Sequence, residues 1–194
     1  KARRRFLDWG VFHMEPQFVE YWRKSRKCIA HRNFLLKQAR ADSDQLGAWD
    51  IELCLAAREV DKARSRYFMQ FLPIFEQVFR SLADPIGDQL SLTYSRGWDS
   101  DRDLAEMLAE NRQIDYKYGA TQSGPHRADI FIRAGNRLAI EILSRGQQKT
   151  LVSALKIAQG MLLTRTLDRH CIYLVDDLPA EFDRGNRERV LSQL

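Results

Sequence analysis

The sequence has few cysteines and no long apolar run. Its 194 residues include three cysteines, Cys28, Cys54 and Cys171, which are too few and too scattered for a disulfide framework or a zinc site. No stretch approaches the roughly 18 consecutive apolar residues that a membrane span needs. The apolar fraction of 44% and the charged fraction of 29% exclude a mostly disordered chain. We therefore expect a globular protein of the reducing cytoplasm, without a signal peptide.

Positive charge is concentrated at the start of the chain. Residues 1–40 hold 11 Lys and Arg against three acids, a net charge of +8, although the whole chain carries only +5. A local positive field favours a polyanion such as DNA, and the alternative is a solvated face without a ligand. The candidate DNA contacts are Arg3, Arg4, Arg5, Arg23, Lys24, Arg26 and Lys27.

The first 84 residues are predicted to form a short strand and an antiparallel helical hairpin. Apolar and polar residues alternate over residues 3–14, which favours a strand. Residues 15–40 carry one apolar stripe of helical period, and Ala41–Gly47 is the predicted turn into a second long helix that packs antiparallel. Pro73 is the expected site of a kink or restart in that helix. Its apolar residues recur every seven positions, at Leu46, Leu53, Val60, Tyr67 and Ile74.

Beyond residue 84 the pattern predicts a mixed α/β fold. Gln89–Arg96 alternates with period two and is predicted as a strand, and a helix follows it. A β-hairpin is predicted between Ala128 and Glu141. A helix from about Gln147 to Arg165 comes next. Cys171–Val175 is then a continuous apolar run, which is typical of a buried parallel strand.

Two acidic residues follow this apolar run. Asp176 and Asp177 come directly after it, at the edge of a sheet where magnesium and nucleotides bind in open α/β folds. The second acid could polarise an attacking water. The alternative is that the strand simply ends in Asp at a turn.

A serine and a glycine precede the predicted helix at residue 147. In LSRGQQK, Ser144 offers a hydroxyl, and the turn at Gly146 offers backbone N–H groups at a helix N-terminus, where phosphates bind. The alternative is an ordinary N-cap serine with a turn glycine. Three features follow one another along the chain: this helix start, the strand ending in Asp-Asp, and Glu181-Phe182-Asp183. Their order matches the signature motif, Walker B motif and D-loop of an ABC-type ATPase.

Four blocks make the resemblance specific. They are RRRFLDWGVFH (residues 3–13), GPHR (124–127), LSRGQQK (143–149) and IYLVDDLPAEFD (172–183). In these blocks the chain resembles the RecF family, bacterial DNA-repair ATPases of the SMC/ABC type. The resemblance implies three regions: the end of an N-terminal ATPase lobe (1–14), a helical-hairpin domain (15–84) and the C-terminal part of the ATPase domain (85–194).

The resemblance also implies roles for individual residues. Ser144, Gly146 and Gln147 would contact the γ-phosphate of an ATP bound by the other protomer. Asp176 would hold Mg²⁺, and Asp177 would orient the attacking water. Asp183 would cross the dimer interface. Family members bind ATP, dimerise on it, associate with gapped DNA, and act with RecR and RecO to help RecA load.

One family motif is missing from the chain. No G-x-x-x-x-G-K-[ST] loop occurs in it, and it begins at Lys1 rather than Met. We therefore expect part of a longer protein, with weak ATPase activity in the full-length dimer and none in this chain alone.

Three other functions are considered. Asp129 and Glu141 resemble a nuclease core, but Leu143 stands where that core has Lys. Another ABC- or SMC-type ATPase is a second alternative, although the hairpin is short for a chromosome-condensation protein. The third is a non-enzymatic DNA-binding or interaction module built on the basic helical hairpin.

Overall fold

The computed structural model describes residues 1–38, 43–82, 90–167, 170–176 and 184–194. The first part of the chain forms helices α1 (Ala2–Met14), α2 (Phe18–Leu36) and α3 (Ser43–Leu82). The middle part forms strand β1 (Leu90–Ser95), helices α4 (Leu104–Glu110) and α5 (Arg112–Tyr118), and strands β2 (Asp129–Ala134) and β3 (Arg137–Leu138). The last part forms helices α6 (Ala139–Ile142), α7 (Arg145–Leu167) and α8 (Arg184–Leu191).

Helix α1 occupies the segment that was predicted to be a strand, so that prediction is wrong. Its buried residues Leu7, Gly10 and Val11 are three and four positions apart, which places them on one side of a helix. Trp9 and Phe12 are half exposed, although both are large and apolar. Trp9, two positions from both Leu7 and Val11, produces the apparent period of two.

Helices α2 and α3 pack antiparallel, as predicted. Residues in the middle of α2 pack with residues of the third and fourth turns of α3, and residues at the end of α2 pack with its first turn. Cys28 shares a buried apolar cluster with Leu53, whereas Leu35 shares another with Leu46. Between them, the His31 ring stacks on Trp49 with centroids 4.4 Å apart.

The seven-residue pattern of α3 is confirmed by burial. Its five recurring residues, from Leu46 to Ile74, are each at most 8% exposed. The helix begins at Ser43, inside the predicted turn, and it continues through Pro73 without the expected restart. Within the second half of the helix, aromatic rings spaced by four residues stack in a row along Tyr67, Phe71, Phe75 and Phe79.

A buried arginine joins α2 to α3 and to α5. Arg32 is completely buried, and its Nε donates to Asp50 Oδ1 at 2.6 Å. Its Nη1 donates to Asp115 Oδ2 at 2.6 Å and to Thr121 Oγ1 at 3.0 Å. Removing one partner of such a buried ion pair typically destabilises a protein by about 3–5 kcal/mol. This cluster therefore fixes the loop after α5 against the helical hairpin.

The strands form one sheet in the order β1-β2-β3. The predicted β1 is confirmed within a residue of its bounds, and β2 pairs antiparallel with β3 through Arg133–Leu138 and Ala134–Arg137. The second strand of the predicted hairpin is shorter than expected, because Ala139–Ile142 turns into α6. The predicted helix at residue 147 is confirmed as α7.

The segment Cys171–Val175 is not in a strand, which corrects the prediction of a buried parallel strand. Among the described residues no strand pairs with it, and Ile172 and Leu174 are 89% and 96% exposed. Cys171 and Tyr173 are only partly exposed and contact α7. The side chains thus alternate as in a strand, but only one of the two faces is covered.

The chain divides into two units by its internal contacts: residues 1–66 with 94–130, and residues 67–93 with 131–194. The first contains the Arg32 cluster and the apolar clusters between α2 and α3. The second contains the aromatic row of α3, where Gln159 of α7 donates to the Tyr67 hydroxyl at 3.0 Å. The domain boundaries at residues 14 and 84 stay a prediction. Within the described ranges, no helix is long and apolar enough to cross a membrane.

Candidate functional site

The first turn of α7 is capped by Ser144 and Gln147. Ser144 Oγ accepts a hydrogen bond from the Gln147 backbone N–H at 3.3 Å, and Gln147 Oε1 accepts one from the Ser144 backbone N–H at 2.9 Å. This reciprocal pair is a capping box. Ser144 is exposed, so its hydroxyl lies at the surface beside the N-terminus of a 23-residue helix.

Gly146 lies in this first turn without a steric reason visible among the described residues. A Cβ at this position would be 4.0 Å from Ser144 Oγ, which is an ordinary contact. Glycine within a helix costs about 1 kcal/mol relative to alanine. What the missing side chain does provide is open space over the first turn of α7, where helices bind phosphate groups.

A groove of about 780 Å³ lies next to this turn. Arg145, Gln148 and Lys149 of α7 line one side of it, and Asp176 lines the other. Lys156 is a third cationic side chain in the lining, and the other lining residues are mostly apolar. The volume is in the range of small-molecule pockets. The groove thus has Asp176 and Arg145 of the first turn in its lining, whereas Ser144, Gly146 and Gln147 do not line it.

Tyr173 holds the segment that carries Asp176. Its hydroxyl donates to the Ile157 carbonyl oxygen at 3.2 Å, and burial raises the pKa of the Tyr173 phenol. The ring lies against Gly160, where any Cβ would come within 2.0 Å of the Tyr173 oxygen. Gly160 is therefore required for this contact. Asp177 and Asp183 lie outside the described residues.

The basic residues of α1 and α2 differ in how far they are already paired. Arg3 forms a two-point ion pair with Asp129 (3.0 and 2.5 Å), and Arg4 donates to two main-chain carbonyls of the segment 126–128. Lys24 pairs with Glu52 at 2.6 Å, a contact that raises the pKa of Lys24. The other candidates, Arg5, Arg23, Arg26 and Lys27, are exposed, as are Arg3 and Lys24.

Two residues next to these cations were missed by the sequence analysis. Arg64 is 2% exposed and forms two hydrogen bonds to Asp8, at 2.8 and 3.1 Å, and one to the Pro125 carbonyl at 2.8 Å. His126 Nε2 donates to the Thr121 carbonyl at 2.8 Å, and burial is the main reason why the pKa of His126 is lowered. The sequence pattern could have indicated that Arg64 is buried, because Arg64 lies seven residues after the buried Ala57 and next to the column of apolar residues that ends in Ile74.

The nuclease alternative gains no support from the geometry. Asp129 is held by Arg3, and the Glu141 side chain is exposed, 3.9 Å from Arg137. Across the described part of the chain, no group of three or more His, Cys, Asp or Glu side chains could hold a metal ion.

Comparison with curated proteins gives matches along the whole chain. It is 48% identical to the DNA replication and repair protein RecF of Pseudomonas fluorescens SBW25 over 197 aligned residues, covering 100% of this chain and 53% of that protein. It is 49% identical to the protein of the same name from Pseudomonas aeruginosa LESB58 over 187 residues, covering 96% of this chain and 50% of that protein. No family model matches the chain.

Comparison with solved structures gives the same fold. The chain superposes on the recombination mediator protein RecF-ATP of the RecFOR pathway with a TM-score of 0.86 and 22% identity, covering 100% of this chain and 54% of that one. A second RecF structure, RecF-ATPrS, gives a TM-score of 0.83 with 21% identity over 97% of this chain. The expected mixed α/β fold is confirmed as the fold of these RecF structures. The chain belongs to the RecF family and spans about half the length of the curated relatives it matches.

Proposed function

We propose that this chain is the part of an ATP-dependent DNA repair and replication protein that completes the ATP site of a partner protomer. The observation that carries the proposal is the exposed, glycine-containing start of α7, in a chain that is 48% identical to RecF proteins throughout. The N-terminus of a long helix attracts phosphate through its dipole and its unpaired N–H groups. We place the γ-phosphate there, in contact with Ser144, Gly146 and Gln147.

The carboxylate of Asp176 fits the magnesium ion of a nucleotide that this protomer itself binds. Mg²⁺ is usually held by one or two carboxylates together with the phosphates of the nucleotide, and Asp176 supplies one carboxylate at the groove. A bound Mg²⁺ would neutralise charge that develops on the phosphates. We assign Asp177 to the orientation of the attacking water and Asp183 to the dimer interface. Arg145 and Lys149 line the same groove and would add positive charge near the phosphates.

The second half of the proposal concerns DNA and protein partners. Exposed cations on α1 and α2 suit a phosphate backbone, and the RecF relatives are named for DNA replication and repair. We propose single-stranded DNA, gapped DNA or a duplex junction as the ligand, and an ATP-dependent homodimer as the active form. We also propose RecR and RecO as partners and the cytoplasm as the compartment. The alternative is a DNA-binding module that does not use ATP, which the exposed Arg23 and Lys27 also favour.

Substitution of Ser144 in the full-length protein tests the ATP-site proposal. Ser144→Arg and Ser144→Ala both remove the N-cap, which costs about 1 kcal/mol of stability, but only arginine fills the space over the helix start. We expect Ser144→Arg to abolish ATP-dependent dimerisation in sedimentation experiments and to leave ATP binding by the monomer intact. Ser144→Ala is the matched control and should dimerise more weakly but measurably. Normal ATP-driven dimers of Ser144→Arg would refute the assignment.

A further inference from the structure

A second pocket, away from the start of α7, contains more positive than negative charge. It measures about 310 Å³ and is enclosed by α1, α2, α3 and the GPHR loop (residues 124–127). Four arginines line it, Arg4, Arg5, Arg26 and Arg64, and they face one carboxylate, that of Asp8. We call it the arginine pocket. Its volume exceeds that of several water molecules, so a phosphate group fits.

Two of the arginines are held in fixed positions at the inner wall. Arg64 is bound by Asp8 and by the Pro125 carbonyl, and Arg4 by two carbonyls of the segment 126–128. A guanidinium group has five N–H donors, and these contacts use only some of them. The remaining donors belong to groups that need little reorganisation to bind a ligand.

The other two arginines lie at the rim. Arg5 and Arg26 are both exposed. The Arg26 guanidinium lies 4.6 Å from the centre of the Trp22 ring, and the Trp22 indole N–H donates to Asp8 at 3.1 Å. Since the ring is fixed by this hydrogen bond, the cation–π contact keeps Arg26 at the entrance.

Among the residues that line this pocket, positive charge exceeds negative charge. Burial is the main cause of the lowered pKa of Arg4, and the nearby charge of Arg64 lowers it further. The single carboxylate, Asp8, is already shared between Arg64 and Trp22. An anion in the pocket would relieve the repulsion between the arginines.

We propose that the arginine pocket binds one backbone phosphate of a DNA strand. Planar guanidinium groups match the geometry of phosphate oxygens, and arginine is the usual residue for this contact. The rim arginines are open to solvent on one side, so a long strand can cross the entrance while one of its phosphates enters. This inference rests on the proposed DNA-binding function and locates its main contact at the arginine pocket, not on the outer face of α2.

Two double variants of the full-length protein test this. Arg5→Ala with Arg26→Ala removes the rim, whereas Arg23→Ala with Lys27→Ala removes the same charge from exposed positions that do not line the pocket. Affinity for a labelled gapped DNA is measured at several salt concentrations. We expect the rim variant to bind at least tenfold more weakly, with a salt slope shallower by about 0.9 because one phosphate contact is lost. The control variant should stay within about twofold of the wild type.

Each result separates this inference from the proposed function. Equal losses in the two variants would overturn the pocket as the contact and leave DNA binding in place. If the wild type bound no DNA, the proposed DNA function would itself fail. ATP affinity is measured in parallel, and a rim variant that lost ATP but kept DNA would show that the pocket binds a nucleotide phosphate instead. Unchanged unfolding midpoints confirm that both variants fold.

Discussion

Gly97 lies at a position where the backbone leaves no room for a side chain. Its φ angle is +97°, which L-residues rarely adopt. A Cβ there would lie 2.3 Å from the Gly124 carbonyl oxygen, 2.6 Å from the Ala128 nitrogen and 2.9 Å from the Arg127 carbonyl carbon. All three are main-chain atoms, so no side-chain rotation can relieve the overlap. The two segments are also joined by a hydrogen bond from Gly124 N–H to the Gly97 carbonyl at 3.1 Å.

Gly97→Ala is therefore expected to be strongly destabilising. The unfavourable φ contributes about 1–3 kcal/mol, and the forced movement of packed main chain contributes about 1–3 kcal/mol more. The total of about 2–6 kcal/mol is a large part of the 5–15 kcal/mol that typically stabilises a domain. Because the GPHR loop supplies the carbonyls that bind Arg4 and Arg64, DNA affinity should fall as well. Urea unfolding followed by circular dichroism measures the change in stability.

Two other glycines provide matched controls for Gly97. Gly135 has a φ of +57° but nothing within 4 Å of its Cβ position, so Gly135→Ala should cost only about 1–2 kcal/mol. Gly47 lies within α3 with open space around it, and Gly47→Ala should stabilise the protein by up to about 1 kcal/mol. The reasoning is refuted if Gly97→Ala is no more destabilising than Gly135→Ala.

Two further predictions concern the groove at α7. In the full-length protein, Asp176→Ala should weaken Mg²⁺-dependent nucleotide binding. Asp177→Asn should still bind ATP but lose turnover, so it should accumulate as an ATP-bound dimer. Equal loss of ATP binding in both variants would show that the two roles are wrongly assigned. Gly160→Ala should destabilise the chain by about 1–3 kcal/mol, because the new methyl group would displace Tyr173. In a Tyr173→Ala background, Gly160→Ala should be neutral or stabilising, as helix propensity alone predicts. If Gly160→Ala lowered the free energy of unfolding equally in both backgrounds, the overlap with Tyr173 would be excluded as the cause.

The sequence predicted the long helices well because their pattern is local and regular. All five residues of the seven-residue column in α3 are buried, and a helix of that length needs only one covered stripe. The same reasoning failed in α1, where burial is carried by Leu7, Gly10 and Val11. A buried glycine adds no apolar side chain to the pattern, and the exposed Trp9, spaced by two from Leu7 and Val11, indicated the wrong period.

The buried arginines could not be found from charge alone. Arg32 and Arg64 lie on the apolar stripes of α2 and α3, but a count of basic residues treats every arginine as a surface group. Their carboxylate partners come from distant parts of the chain: Asp115 is 83 residues from Arg32, and Asp8 is 56 residues from Arg64. Such pairs depend on tertiary packing, so a pattern within a single helix predicts the position but not the partner. The arginine pocket was missed for the same reason.

The candidate site shows how a correct pattern can predict the wrong element. Cys171–Val175 has strand-like alternation, and its inner face does pack on α7 through Tyr173 and Gly160. A strand also needs neighbouring strands for its N–H and C=O groups, and the described residues provide none beside it. Asp176 is therefore positioned from the α7 side, by the Tyr173 contact. The outer face, with Ile172 and Leu174 almost fully exposed, is apolar and is not covered by the described residues, so alternation in the sequence shows only which side chains share a face.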